Sequence, residues 1–272
     1  MIGRTLSKRF SKRVSEAWVD LRSALIATET WIFLGSHDIK QRYRRSVLGP
    51  LWITLSTAVL IGGLGVMYAG LFKMDVNDYI PYLAAGMITW SFMTLVVTES
   101  CFVFTGAEGS IKAARIPLSS YVLRLVWRNI LVFLHNAVVL VGVVLWFLPF
   151  NAMNLLMALV GLAVIGVFLF WLSLLVGLLC ARFRDIPLIV SNVMQVVFFM
   201  TPIMWKADVL NSRMWIAELN PFYYMLELVR NPLLGQPLTW SIWSSVGLVV
   251  LATAIVSFLF FARFRTRIVY WL

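Results

Sequence analysis

The sequence predicts an all-α integral membrane protein: six transmembrane helices, an amphipathic N-terminal helix in the membrane interface, and two short re-entrant helices between spans five and six. Three observations carry this reading. Hydrophobic residues make up 61% of the 272 positions, with a mean hydropathy of +0.88; soluble domains hold only about half apolar residues. Six apolar windows, 51–72, 79–105, 121–148, 153–181, 186–205 and 240–262, approach or exceed the roughly 20 residues that cross about 30 Å of hydrocarbon. Finally, 19 of the 23 Lys and Arg fall in 1–50, 106–128, 182–185 and 263–272. The positive-inside rule then places those segments and both termini in the cytoplasm. The net charge of +11 reads as topology and contact with anionic headgroups rather than nucleic-acid binding.

Residues 1–50 form a cytoplasmic N-terminal segment and 51–272 a six-span domain. The start is basic and has no apolar stretch ahead of a small-residue cleavage site, so no secretory signal is expected. Ile32, Ile39, Tyr43 and Val47 share one helical face, with Lys40, Arg42, Arg44 and Arg45 elsewhere, as in a helix lying in the interface plane. Gly35-Ser36 is a candidate break, with Ser36 capping the second part. In the first span, Ala58/Gly62 and Gly65/Ala69 are small pairs four apart that allow close helix approach. The second span is about 40 Å long at 1.5 Å per residue and must tilt or protrude.

Glu99 lies inside that span, where a carboxylate costs roughly 2.5–3.5 kcal/mol at the bilayer centre and less near the edge. Arg124 and Arg128 stand one turn apart at the start of the third span. Glu99 pairs with one of them, Arg128 foremost, or the arginines snorkel to headgroups. Residues 106–120 are the one sizeable inward loop between spans. Ile111 to Ile116 suggests a short helix ended by Pro117, suited to docking a soluble partner. Spans three and four form a hairpin at Pro149-Phe150-Asn151. His135 and Asn136 lie within span three and are read as hydrogen-bonding residues. Cys101 and Cys180 are read as small packing residues without a disulfide.

The fifth window begins at the basic turn Arg182-Phe183-Arg184-Asp185-Ile186-Pro187 and ends at Thr201-Pro202. Beyond it, 206–239 is apolar and aromatic although it falls outside. Asn220-Pro221 is a strong helix start, Glu227 and Arg230 are three apart, and Asn231-Pro232 ends that helix. Residues 212–219 and 221–231 are therefore read as helices dipping back into the outer leaflet, which irregular backbone tolerates only when buried in protein or lining a cavity.

Several chemistries are missing from the pattern. There is no GxxxxGK[ST] phosphate loop, no HExxH, no CxxC and no carboxylate pair in a span. No catalytic or metal site is expected. Intramembrane ionisable residues, which mark proton or ion coupling, are nearly absent. Energy for any transport must come from another chain.

Three separated segments carry a resemblance to ABC-2-type permeases that export polysaccharide such as O-antigen, capsule or teichoic acid. The first runs from His37-Asp38-Ile39-Lys40-Gln41-Arg42-Tyr43-Arg44-Arg45 through Ser46-Val47-Leu48-Gly49-Pro50 to Leu51-Trp52. The second runs from Ala181 to Pro202, and the third from Asn220-Pro221-Phe222 through Glu227 and Arg230 to Leu233-Leu234-Gly235. One departure is Ile116-Pro117, where many relatives place an aromatic before the proline. The resemblance spans about 30–272. It implies a homodimer in a bacterial inner membrane with two copies of a separate ATPase, which binds ATP and Mg; the permease itself needs no cofactor. Asp38, Lys40, Arg42, Arg44, Ile111, Lys112, Arg115 and Pro117 would couple to the ATPase, and the 206–235 helices would form a periplasmic gate.

The implied cargo is an undecaprenyl-linked glycan. Arg42, Arg45, Arg124 and Arg128 suit its lipid phosphate. Tyr79, Tyr82, Trp90, Phe198, Phe199, Trp205, Phe222 and Tyr223 suit stacking on its sugars, although an aromatic belt explains each singly. Three alternatives remain: the same fold exporting a drug, haem or free lipid, a membrane enzyme handling polyprenyl phosphates, and a purely structural or scaffold membrane protein.

Overall fold

The computed structural model describes residues 2–44, 49, 51–149, 151–207 and 214–272. All regular structure among them is helical. In chain order the helices are α1 (Ile2–Ile26), α2 (Thr28–Arg42), α3 (Leu51–Phe72), α4 (Val76–Ser100), α5 (Glu108–Ala113), α6 (Leu118–Phe147), α7 (Ala152–Arg182), α8 (Ile186–Met200), α9 (Trp215–Glu218), α10 (Pro221–Leu233), α11 (Trp240–Phe264) and α12 (Ile268–Trp271). Five of them, α3, α4, α6, α7 and α11, are long and apolar enough to cross a membrane. The fifth apolar window behaves differently. Its helix, α8, has 15 residues, about 22 Å, and so falls short of a roughly 30 Å core. The chain then turns extended at Thr201, because Pro202 disfavours helical backbone in the residue before it.

α4 is the hub. From Tyr79 to Val97 most of its residues are buried, packed by α3, α6, α7, α8 and α10. Small residues allow this crowding. A Cβ on Gly65 of α3 would stand 2.8 Å from Ile80, and Ala69 is fully buried beside α4. Gly62 faces open space, so only the second small pair of this helix makes the close contact.

The N-terminal region departs from expectation in its break point. The two helices meet at Ala27, whereas Gly35 lies inside α2 and is buried. A Cβ on Gly35 would lie 3.0 Å from both the Arg124 carbonyl and the Trp127 ring. Gly35 thus serves close approach of α2 to α6 rather than a bend. Ser36 is no cap: its hydroxyl accepts from Trp127 Nε1 at 3.1 Å. Ile39 is buried and Ile32 exposed; Val47 lies outside the described residues. In the inward loop the short helix is α5, starting three residues earlier than expected, and Pro117 heads α6 rather than ending a helix.

α10 is inserted among α4, α7 and α11. Asn220 caps it, accepting from Phe222 N at 3.0 Å. The helix runs through Pro232 to Leu233 and ends at Gly235, whose φ of +73° suits glycine. Pro232 has no N–H to offer the Leu228 carbonyl four residues back. That carbonyl instead faces Gly161 of α7, where a Cβ would come within 2.5 Å of it. Gly161→Ala should therefore cost about 1–3 kcal/mol through overpacking, while Gly166→Ala, in open space, should gain up to about 1 kcal/mol of helix propensity. Thermal unfolding of the detergent-solubilised protein reads both signs; equal shifts would contradict the contact.

Candidate functional site

The long helices bring polar side chains together at two depths. At the basic end of the bundle, where α4 finishes and α6 begins, three helices share one charge network. Arg124 of α6 grips Asp38 of α2 with two donors, Nη2 at 2.5 Å and Nε at 2.8 Å. Arg128 reaches Glu99 at 2.5 Å and Asp38 at 3.4 Å. Glu99 also accepts from Asn129 at 2.8 Å and from Arg42 at 2.9 Å. Two carboxylates thus meet three guanidinium groups, so the cluster is net cationic. A cavity of about 270 Å³ opens beside it, lined by Glu99, Tyr121, Arg124 and Arg128. Arg128 Nε is buried and has no hydrogen-bond partner. Such a cavity suits an anion that accepts from several donors. Asp38 therefore turns toward α6, while Lys40 and Arg44 beside it are exposed. Lys112 and Arg115 are exposed as well, and Ile111 and Pro117 are half-buried. Arg45 lies outside the described residues.

A third acid here, Asp20, is not found by the sequence reading. Asp20 of α1 is buried and caps α6 from outside. It accepts from Leu118 N at 3.1 Å, Ser119 N at 3.0 Å and Ser119 Oγ at 2.7 Å. The negative charge meets the positive end of the helix dipole. Arg265, just past α11, completes the shell at 3.0 Å. A signal was present: Asp20 shares the stripe of Ala17, Leu21 and Ala24, all buried, and an acid within an apolar stripe needs partners.

At the far end, residues 201–205 run non-helical through the bundle interior. Tyr79 OH donates to the Met204 carbonyl at 2.6 Å. Tyr82 OH lies 2.8 Å from the Trp205 carbonyl and 2.9 Å from that of Pro202. Arg230 Nη1 donates to Pro202 at 2.5 Å, its guanidinium lies 4.2 Å from the Tyr82 ring centroid, and Nη2 pairs with Glu227. Asn220 Nδ2 donates to Thr201 Oγ1 at 2.7 Å. Beneath this lies an aromatic layer in which Trp90 meets Phe198 and Phe222, each with centroids 5.8 Å apart.

Of the aromatics named from sequence, Tyr79, Tyr82, Trp90 and Phe222 are buried, Phe198, Trp205 and Tyr223 half-buried, and Phe199 exposed. Tyr82 and Tyr223 alone of them line a polar cavity of about 440 Å³ with Asp78, Lys206, Glu227 and Gln236. Among the described residues no cluster of three or more His, Cys, Asp or Glu could hold a metal ion. His135 Nδ1 is 2.7 Å from the Leu131 carbonyl of its own helix.

A multi-pass helical membrane protein with a cationic cluster at one end and a folded-in helical insertion at the other defines the class. The chain belongs to the ABC-2 type transporter family, whose model matches residues 29–234. It is similar to an O-antigen export system permease protein of Klebsiella pneumoniae, at 25% identity over 87% of this chain and 92% of the relative. A second Klebsiella pneumoniae protein of that name is 24% identical over the same shares. One from Myxococcus xanthus is 19% identical over 72% of this chain and 76% of its own.

Two outcomes follow. Asp20→Ala removes a cap and leaves Arg265 unpaired, and should cost about 2 kcal/mol of stability. Arg265→Gln alone should cost less, since the two α6 amides keep their acceptor. For Glu99 and Arg128, a double-mutant cycle with Gln at each position should give a coupling of about 1 kcal/mol or more; additive losses would mean the contact contributes nothing.

Proposed function

We propose that this chain is the membrane-spanning subunit of an ATP-driven exporter that moves lipid-linked polysaccharide across a bacterial inner membrane. The observation that carries the reading is the likeness to O-antigen export permeases across nearly the whole of both chains. The two polar sites fit such a cargo. Arg124 and Arg128 beside their cavity receive the lipid phosphate from the inner leaflet, with Arg42 at its approach. The sugar chain passes the far end, where Tyr82 and Tyr223 present faces for stacking.

The energy comes from a separate ATPase, present in two copies, which binds ATP and Mg. It docks on α2 and on the 105–117 segment, through Lys40, Arg44, Ile111, Lys112 and Arg115. Asp38 passes the movement inward to Arg124. The permease works as a homodimer with both termini in the cytoplasm. α8 supports that pairing, because Ser191, Asn192 and Gln195 are exposed on an otherwise apolar helix. Amides facing lipid are costly, and a second copy, or the path between two copies, covers them. α8 together with the non-helical 201–206 segment makes the sixth crossing, and α9 and α10 are the re-entrant gate.

Depletion of the chain in its native cell tests the cargo. Lipid-linked polymer should accumulate inside while surface glycan disappears. Unchanged surface glycan with no accumulation would overturn it. In the same cells Tyr82→Phe, which removes a donor to the 202–205 carbonyls, should reduce export by about tenfold or less, the equivalent of one hydrogen bond of about 1 kcal/mol.

A further inference from the structure

A third cavity lies between α1, α6 and α7. It is apolar, about 650 Å³ in volume, open along one side and lined by Trp18 and Leu21 of α1, Val126 of α6, and Gly166, Phe170 and Trp171 of α7. One charged residue, Arg22, lines it. Among the described residues the Arg22 guanidinium has no hydrogen bond and no ion pair. Trp18 and Leu25, on the same stretch of α1, are 63% and 60% exposed.

We propose that this groove binds one anionic phospholipid of the surrounding membrane, with an acyl tail along α7 and the phosphate on Arg22. Length favours this occupant. From Leu159 to Trp171, both lining residues, α7 rises about 18 Å. Half of a roughly 30 Å hydrocarbon core is about 15 Å, so the groove matches the tail of a lipid in one leaflet. A polyprenyl chain is several times longer and would leave most of itself outside. Charge favours it as well: an unpaired guanidinium at the end of an apolar groove offers a headgroup phosphate charge-assisted donors. Trp18 and Trp171 stand at the same end, as tryptophans do at a membrane interface. Gly166 keeps the groove clear, since a Cβ there would meet nothing within 4 Å. The consequence is structural: the lipid becomes a wall between α1 and α7, and its retention fixes α1 against α6.

The full chain in nanodiscs of phosphatidylglycerol and phosphatidylcholine in equal parts, released and weighed by native mass spectrometry, tests this. Phosphatidylglycerol should be retained preferentially. Arg22→Gln should lower that preference by about fivefold, the effect of one basic residue at an anionic surface. Gly166→Leu should lower retention of both lipids, since a Cβ at 166 meets nothing within 4 Å and the longer side chain enters the groove; a normal unfolding temperature shows that it folds. Equal retention of the two lipids by the unmodified chain would overturn the proposal. So would an unchanged preference in Arg22→Gln, or displacement of phosphatidylglycerol by an equimolar amount of undecaprenyl phosphate, which would assign the groove to cargo.

Discussion

The irregular backbone of residues 201–205 must find every hydrogen-bond partner inside the protein, and the far half of the bundle is organised around that demand. An unsatisfied carbonyl in hydrocarbon costs several kcal/mol. Three donors meet the need: Tyr79 and Tyr82 from α4, and Arg230 from α10. Arg230 can donate there only if α10 is pushed into the bundle. α10 can be pushed in only if Gly161 lets the Leu228 carbonyl against α7, and if Gly86 lets the Ile203 backbone against α4, where a Cβ would stand 3.2 Å from its oxygen. Glu227 offsets the charge that this arrangement buries. The two glycines, two tyrosines and the Glu–Arg pair are thus one device, spread over 152 positions of sequence from Tyr79 to Arg230.

The basic end solves a different problem with similar parts. Arg124 and Arg128 have to face inward at the start of α6, and α2 and α4 each contribute one carboxylate to receive them. Partly buried pairs of this kind add little net stability, because desolvation offsets attraction. Their effect is geometric: a bidentate Arg–carboxylate contact fixes α2 on α6 in one register. Asp20 does the same for α1 by gripping the first two amides of α6 and Arg265 beyond α11. The helices flanking the 105–117 segment are consequently tied to both N-terminal helices.

What could be read from sequence divides along the range of the interaction. Local chemistry is legible: the Asn220 cap, the start of α10 at Pro221, and the family. Hydropathy could not reveal where α8 stops, because Ile203, Met204 and Trp205 are as apolar as the residues before them; Thr201-Pro202 was the only break in the pattern. Gly35 was read as a bend because a glycine that permits a turn and one that permits contact look alike in one dimension. The partner that decides between them is Arg124, 89 positions away. Asp20 is missed for the same reason, its donors being on residues 118 and 119. The cost of Glu99 in hydrocarbon makes a cation beside it legible, but that Arg42, Arg128 and Asn129 all reach one carboxylate depends on three helices packing together.

α4 connects the two ends. Tyr82 and Glu99 lie 17 residues apart on it, about 25 Å of helix. The helix is buried against five neighbours for most of that length. At its basic end Glu99 accepts from Arg42 of α2, and at its far end Tyr79, Tyr82 and Gly86 meet residues 201–205. α10 cannot leave its seat without taking Arg230 from Pro202, and the carbonyls of that segment would then keep only the tyrosine donors of α4. One buried helix thus carries side chains into both polar sites.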